Sequence, residues 1–248
     1  MKNYSIYLFA LVIALAFTSC GGEGFIKYPV DDILSKTAND KLPMSIILYD
    51  MDVKNSRRLN KYKIITNMDD STKLKEKTTE WIRVSKADFG RNYQNMGMEI
   101  ASKKLDASGK PQISKTPAPP GYSNFVGNQK YGSWQRRSDG TSFWAFYGQY
   151  MFMRSMFHMT SPIYRRSYTN YRQNYYGRRA YYGGSGTRRR YGTGSSYSRR
   201  ASSSSYYSSP RSLRSNSSYR SYRSSSRSSR SGNRSGSSSR SRSGSSGK

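Results

Sequence analysis

The chain is poor in almost everything that builds a reactive centre. Its 248 residues include one Cys, one His and only 14 acidic residues. A single Cys excludes an intramolecular disulfide scaffold. One Cys with one His also cannot supply a zinc site of His and Cys ligands or, if the thiol is otherwise used, a Cys–His nucleophilic pair. Apolar residues make up 34%, too few for an ordinary globular domain running the whole length. Long apolar runs are missing too. The longest, Ile6–Phe17, has twelve residues, against the roughly 20 needed to cross a hydrocarbon core, so a multi-span membrane protein is excluded.

What is abundant is positive charge. Lys and Arg number 43, for a net charge of +29 and a pI near 10.3. The charge is unevenly placed. All acids lie at or before Asp139, and residues 1–139 carry 22 basic residues against those 14. Residues 140–248 carry twenty Arg, one Lys and no acid. Such a balance speaks for anionic partners and against most enzyme classes.

Lys2, the apolar run to Phe17 and the small residues Thr18-Ser19-Cys20-Gly21-Gly22 have the order of an export signal. The stretch resembles the lipobox of bacterial lipoproteins, with Phe17 in the place usually held by Leu, Val or Ile. That resemblance implies cleavage before Cys20 and a diacylglyceryl and acyl (palmitate-type) anchor on its thiol. Residues 1–19 are then a signal peptide and residues 20–27 a lipidated tether. More than one acyl chain holds stably, at about 0.8 kcal/mol per buried CH₂. No Asp follows Cys20, and the expected location is the cell envelope, with the outer membrane preferred. The alternative is an ordinary secretory signal with an incidental Cys.

Residues 28–160 have the composition of a small α+β domain with a mostly antiparallel sheet. Pro29-Val30-Asp31-Asp32 opens a helix, with Pro and acids in its first turn. Met44–Val53 and Lys61–Met68 are rich in β-formers and predict a hairpin. Glu80–Val84 predicts a third strand and Met98–Ala101 a returning one. Ser85 with Asp88 predicts a helix cap. Residues 105–121, with four Pro and two Gly, predict a loop. The aromatic stretch at 142–159 predicts a helix apolar on several faces, buried in the domain or docked on a partner. The motifs Pro120-Gly121-Tyr122, Tyr131-Gly132-Ser133-Trp134 and Ser142–Tyr150 resemble a small group of uncharacterised bacterial lipoproteins over roughly residues 28–158. This resemblance implies no activity and no site residues.

Residues 161–248 predict a disordered tail. From Tyr164 onward there are 30 Ser, 19 Arg, 13 Tyr and 10 Gly, and Leu213 is the only large aliphatic residue. Such a composition has little to set against an ordering cost of about 1–2 kcal/mol per residue. Residues 164–200 interleave Arg, Tyr and Gly, and residues 201–248 are mainly Ser and Arg. Arg165, Arg166, Arg172, Arg178, Arg179, Arg188, Arg189, Arg190, Arg199 and Arg200 form the expected anion-binding set. Guanidinium groups suit phosphate and carboxylate and stack on rings, a chemistry also used on single-stranded nucleic acid. In an exported chain the expected partners are lipopolysaccharide, acidic polysaccharide, DNA or an anionic membrane surface, with self-association of the tail as another reading.

Two further patterns bear on chemistry. Asp50-Met51-Asp52, after Ile46-Ile47-Leu48-Tyr49, resembles the aspartate pair of haloacid-dehalogenase phosphotransferases. Lys54 stands where that family has Thr, and the pair reads instead as two solvated carboxylates on a hairpin. Met151, Met153, Met156, His158 and Met159 are types that suit Cu(I), with gap-filling beside aromatics as the other reading. No catalytic residue and no cofactor are expected. The overall expectation is a non-enzymatic, lipid-anchored envelope protein. The alternatives are a nucleic-acid-binding tail, or a ligand-binding, copper-binding or enzymatic domain that the tail localises.

Overall fold

The computed structural model describes Ile26, residues 28–184 and residues 189–201. The expected signal sequence, Cys20, Arg188 and the Ser/Arg half lie outside the described residues. The architecture is α+β, as the sequence predicts. Its elements are helix α1 (Pro29–Lys36), strands β1 (Met44–Lys54), β2 (Arg57–Thr66), β3 (Lys75–Thr78) and β4 (Ile82–Arg83), and helix α2 (Lys86–Asn92). Strands β5 (Glu99–Leu105), β6 (Pro111–Ser114), β7 (Gly132–Arg136) and β8 (Ser142–Phe146) follow. Helices α3 (Phe152–Met156), α4 (Arg165–Asn174) and α5 (Ser196–Ala201) complete the described chain. No described helix is long and apolar enough to cross a membrane.

The main sheet is antiparallel, in the order β3-β2-β1-β5-β6, with β4 also on β2. Its centre is the predicted hairpin. Lys54 pairs with Arg57 across Asn55 and Ser56, both in the left-handed region, which matches the twist of a two-residue hairpin turn. Met44, Ile46 and Leu48 alternate with Ser45 and Ile47, yet all are buried, so both faces of the sheet are covered. On one face, Lys103 of β5 donates to the carbonyls of Leu34 and Thr37 at 3.4 and 2.9 Å. It thereby satisfies the C-terminal end of α1. Ser85 caps α2, accepting the Asp88 N–H at 3.0 Å.

A register shift between Leu48 and Asp50 in the β1–β2 pairing corrects one expectation. The irregularity turns Asp50 inward, to 4% exposure, where Oδ1 accepts the Met51 N–H at 2.7 Å. Asp52 is half-buried and accepts the Val53 N–H at 2.7 Å. Only partial solvation remains at the pair.

The other face of the sheet carries the aromatic core, in which Ile47 and Ile65 meet Tyr122, Phe125, Trp144 and Phe157. Here two sequence expectations fail. Residues 142–159 are not one helix. Ser142–Phe146 is strand β8, paired with β7 so that Trp134 faces Trp144 with ring centroids 5.1 Å apart. A 3₁₀ turn at Gly148–Tyr150 leads into α3, which begins at Phe152. Aromatic residues fit a pleated, half-buried surface, and Asp139-Gly140 closes the turn between the strands. Within the predicted loop 105–121, Pro111–Ser114 forms β6 against β5, and Ala118 bridges Glu99.

The largest difference concerns the predicted tail. Residues 161–184 and 189–201 are not separate from the domain: they form its outer layer. Tyr171, Tyr181 and Tyr197 are buried, as are Ser195 and Ser198. The physical reason is that tyrosine serves here as a core residue. Each large ring buries on the order of 150–250 Å², which offsets the ordering of several neighbours. The hydroxyls find partners: Tyr181 donates to the Ser167 carbonyl at 3.1 Å and Tyr182 to Asn95 Oδ1 at 2.9 Å.

Candidate anion-binding surface and pocket

Helix α4 shows how the layer presents its charge. Tyr168, Tyr171 and Tyr175 recur at helical spacing and turn toward the core, while Arg165, Arg166, Thr169, Arg172 and Gln173 face outward. The helix packs on β8. Between α4 and the β7–β8 turn runs an open groove of about 800 Å³, lined by Arg165, Arg166, Thr141, Ser142, Asn170 and Gln173 among others. No carboxylate lines it.

Four arginines of the layer lie near rings. Arg172 sits 3.9 Å from the Tyr176 ring centroid, Arg179 4.4 Å from Tyr175 and Arg189 4.4 Å from Tyr182. Arg165 stands 6.0 Å from Trp134. A guanidinium stacked by its face keeps its in-plane N–H donors for an oxyanion. Arg189 also donates to Gln94 Oε1 at 2.7 Å, and Arg199 to the Gly194 carbonyl at 3.3 Å. Arg178 is exposed. Among the described residues, no arginine from Arg165 to Arg200 forms an ion pair with a carboxylate. The acids nearer the N-terminus pair with one another's lysines instead, as in Lys130–Asp69 at 3.0 Å.

The second feature is a small, partly open pocket. Pro119, Pro120 and Tyr122 form one wall, His158–Ser161 and Ile163 a second, and Arg190, Tyr191, Ser196, Tyr197 and Arg200 the third. About 70 Å³ is open inside. Gly121 makes the wall possible, with φ +83° and no room for a Cβ, which would meet the Phe157 ring at 2.8 Å. Below it Glu99, 1% exposed, accepts the Ser45 hydroxyl at 2.6 Å and the Gly121 N–H at 3.4 Å. Burial pushes the Glu99 carboxyl above the usual range, against the pull of the neighbouring hydroxyls.

The third wall is docked by specific contacts. Thr193 donates its hydroxyl to the Tyr93 carbonyl at 2.7 Å and accepts the Met96 N–H at 3.1 Å. Tyr197 donates to the Phe157 carbonyl at 2.6 Å. Arg200 donates to Thr160 Oγ1 at 3.2 Å. His158 stands at φ +49°. Partial burial, and then the Lys63 charge, hold its imidazole below the usual value, so the ring is neutral at pH 7.

The methionine cluster is divided. Met151 is 50% exposed, Met153 is fully buried in the core, and Met156 packs against the core from its edge. Only His158 and Met159 of the five line this pocket. Among the described residues, no group of three or more His, Cys, Asp or Glu side chains converges on a metal position. The sequence reading identified the arginines but missed Thr160, Ser161, Tyr191 and Tyr197 as pocket residues. The signal for the tyrosines was the helical spacing from Tyr164 to Tyr175, which marks the segment as part of the fold. No protein-family model, curated protein or solved structure matches the chain.

Proposed function

We propose that the chain is a non-enzymatic, lipid-anchored envelope protein whose arginine- and tyrosine-rich C-terminal part binds anionic polymer. The observation that carries the reading is the absence of carboxylate partners for the described arginines from Arg165 to Arg200, several of them stacked on rings at the surface. Charges left unpaired by their own domain are available to phosphate or carboxylate groups of a partner. A groove without acids lies open beside α4. The anchor at Cys20 fixes one end of the chain to a membrane while the basic layer meets lipopolysaccharide, acidic polysaccharide or DNA. An anionic surface contributes about 1 kcal/mol per engaged Arg.

Two measurements test the proposal. Intact mass and membrane fractionation beside a Cys20→Ala variant test the anchor. Loss of residues 1–19, added acyl mass and membrane recovery only with Cys20 are the expected results. A soluble, unacylated chain in both forms would overturn the anchor. Polymer binding as a function of salt tests the basic layer. Counterion release predicts a steep fall with rising salt, and a flat response would overturn that part.

A further inference from the structure

We infer that the small, partly open pocket between Pro120, His158 and Arg200 binds one compact tetrahedral oxyanion, a phosphate group, with Arg190 and Arg200 as its charge partners. This goes beyond polymer binding, because the surface arginines Arg165–Arg179 take no part in it.

Size selects the ligand first. The open volume of about 70 Å³ is several times the ~10–15 Å³ that admits one water. It is far below the ~300 Å³ at which pockets for organic ligands begin. A small polyatomic ion fits that interval; a nucleoside does not.

Lining chemistry selects the charge. Arg190, Arg200, Thr160, Ser161 and Ser196 line the space, and no carboxylate residue does. Arg200 makes one side-chain hydrogen bond, to Thr160, and five N–H donors are present on each guanidinium. Arg190 makes no side-chain hydrogen bond to a described residue; its backbone N–H is tied to the Tyr182 carbonyl at 3.0 Å. A tetrahedral anion has enough acceptor oxygens to engage both arginines and the hydroxyls together. A planar carboxylate has two.

The pocket is also preorganised. Three segments distant in sequence line it, and Tyr197, Thr193 and Arg200 hold the third wall by the bonds already described. An anion between Arg190 or Arg200 and Thr160 would add a further tie between residues 158–161 and residues 190–200. His158, the only histidine in the chain, stands in the wall as a reporter. A negative charge beside it favours the imidazolium.

The test is calorimetric titration of the full chain with inorganic phosphate, at fixed ionic strength in chloride, with the His158 ring followed by NMR. The expected result is saturable binding at one phosphate per chain and an upward move of the His158 pKa on occupancy. Arg190→Gln and Arg200→Gln should each weaken binding about tenfold or more, from loss of a charge-assisted contact. Thr160→Val, which preserves shape and charge, should weaken it less. Arg172→Gln should leave it unchanged. Glycerol 3-phosphate run in parallel separates the sources: binding of both ligands assigns a phosphate terminus on a larger molecule, and binding of phosphate alone assigns the free ion. Absence of saturable binding, or equal loss in Arg172→Gln and the pocket variants, would overturn the site. Either result leaves the salt-dependent polymer test to succeed or fail by itself.

Discussion

The ring of Tyr171 meets that of Tyr122 edge-on, with centroids 5.5 Å apart and planes at 70°. One residue belongs to the arginine-rich segment and the other to the Pro-Gly-Tyr motif of the domain. Tyr122 also lies within 6.2 Å of Tyr168, Tyr181 and Tyr191 by ring centroids. The basic layer is thus held to the core by tyrosine rings, and its outward charge depends on that hold.

Tyr171→Ala should therefore destabilise the whole domain, by about 3–5 kcal/mol as for other large buried aromatics. Tyr171→Phe should cost under about 1 kcal/mol, since the hydroxyl has only a 3.4 Å contact with Ser123. Denaturant unfolding checks both. Equal, small effects would mean that the segment does not belong to the core.

Truncation makes the same point at larger scale. A chain ending at residue 201 contains every described core residue and should unfold cooperatively. A chain ending at residue 163 loses Tyr171, Tyr181 and Tyr197 and should lose cooperative unfolding, bind a hydrophobic dye, or aggregate. Circular dichroism melts of the two chains decide it.

Much of this was legible from the sequence where local rules suffice. Pro29 with Asp31 and Asp32 marked α1, Ser85 marked the cap of α2, and the β-formers on either side of Asn55 and Ser56 marked the central hairpin. The errors share one physical cause. Tyr and Trp carry both apolar area and polar groups, so a hydrophobic count that seeks aliphatic residues undervalues the segment from Tyr164 to Tyr197. Ser142–Phe146 was aromatic at every helical face, a pattern that equally suits a strand packed on both sides. Asp139-Gly140 before it was the turn signal. The arginines of the site could be read from composition, but the pocket could not. Its walls come from residues 119–122, 158–163 and 190–200, and no local period links them.

Glu99 sets a pH dependence. Burial raises its folded-state pKa above the unfolded value, so the native state holds the proton where the unfolded chain releases it. Stability from this group is full below the unfolded value of about 4.3 and is lost as pH rises toward the folded value. Asp88, also raised by burial, acts in the same sense. Glu99→Gln keeps an acceptor for Ser45 and Gly121 and removes the charge. At pH 7 it should be at least as stable as the parent, and its stability should change less between pH 4 and 7. Paired urea titrations check this; a large loss of stability in the variant at pH 7 would contradict it.

Gly192 is a backbone requirement of the docked wall. It stands at φ +86°, and a Cβ there would meet the Gln94 carbonyl oxygen at 2.4 Å. Gly192→Ala should cost more than about 1 kcal/mol and should release the Thr193 contacts with Tyr93 and Met96. Amide exchange at Met96 and Thr193 reports the release.

Charge on the outer layer should appear in the salt slope. With single-stranded DNA as a test polyanion, each arginine that neutralises a phosphate contributes about 0.7 to the slope of log K against log salt. Arg172→Gln and Arg179→Gln should each lower the slope by that amount, with the fold unchanged. An unchanged slope would place binding elsewhere.

The most direct measurement is hydrogen–deuterium exchange of the full chain, with and without an acidic polysaccharide, at low and high salt. The account predicts slow exchange through Arg165–Asn174 in the free protein. It predicts added protection there and along the β7–β8 turn with polymer at low salt, and loss of that added protection at high salt. Fast exchange of Arg165–Asn174 in the free protein, or a polymer footprint confined to other surfaces, would contradict it.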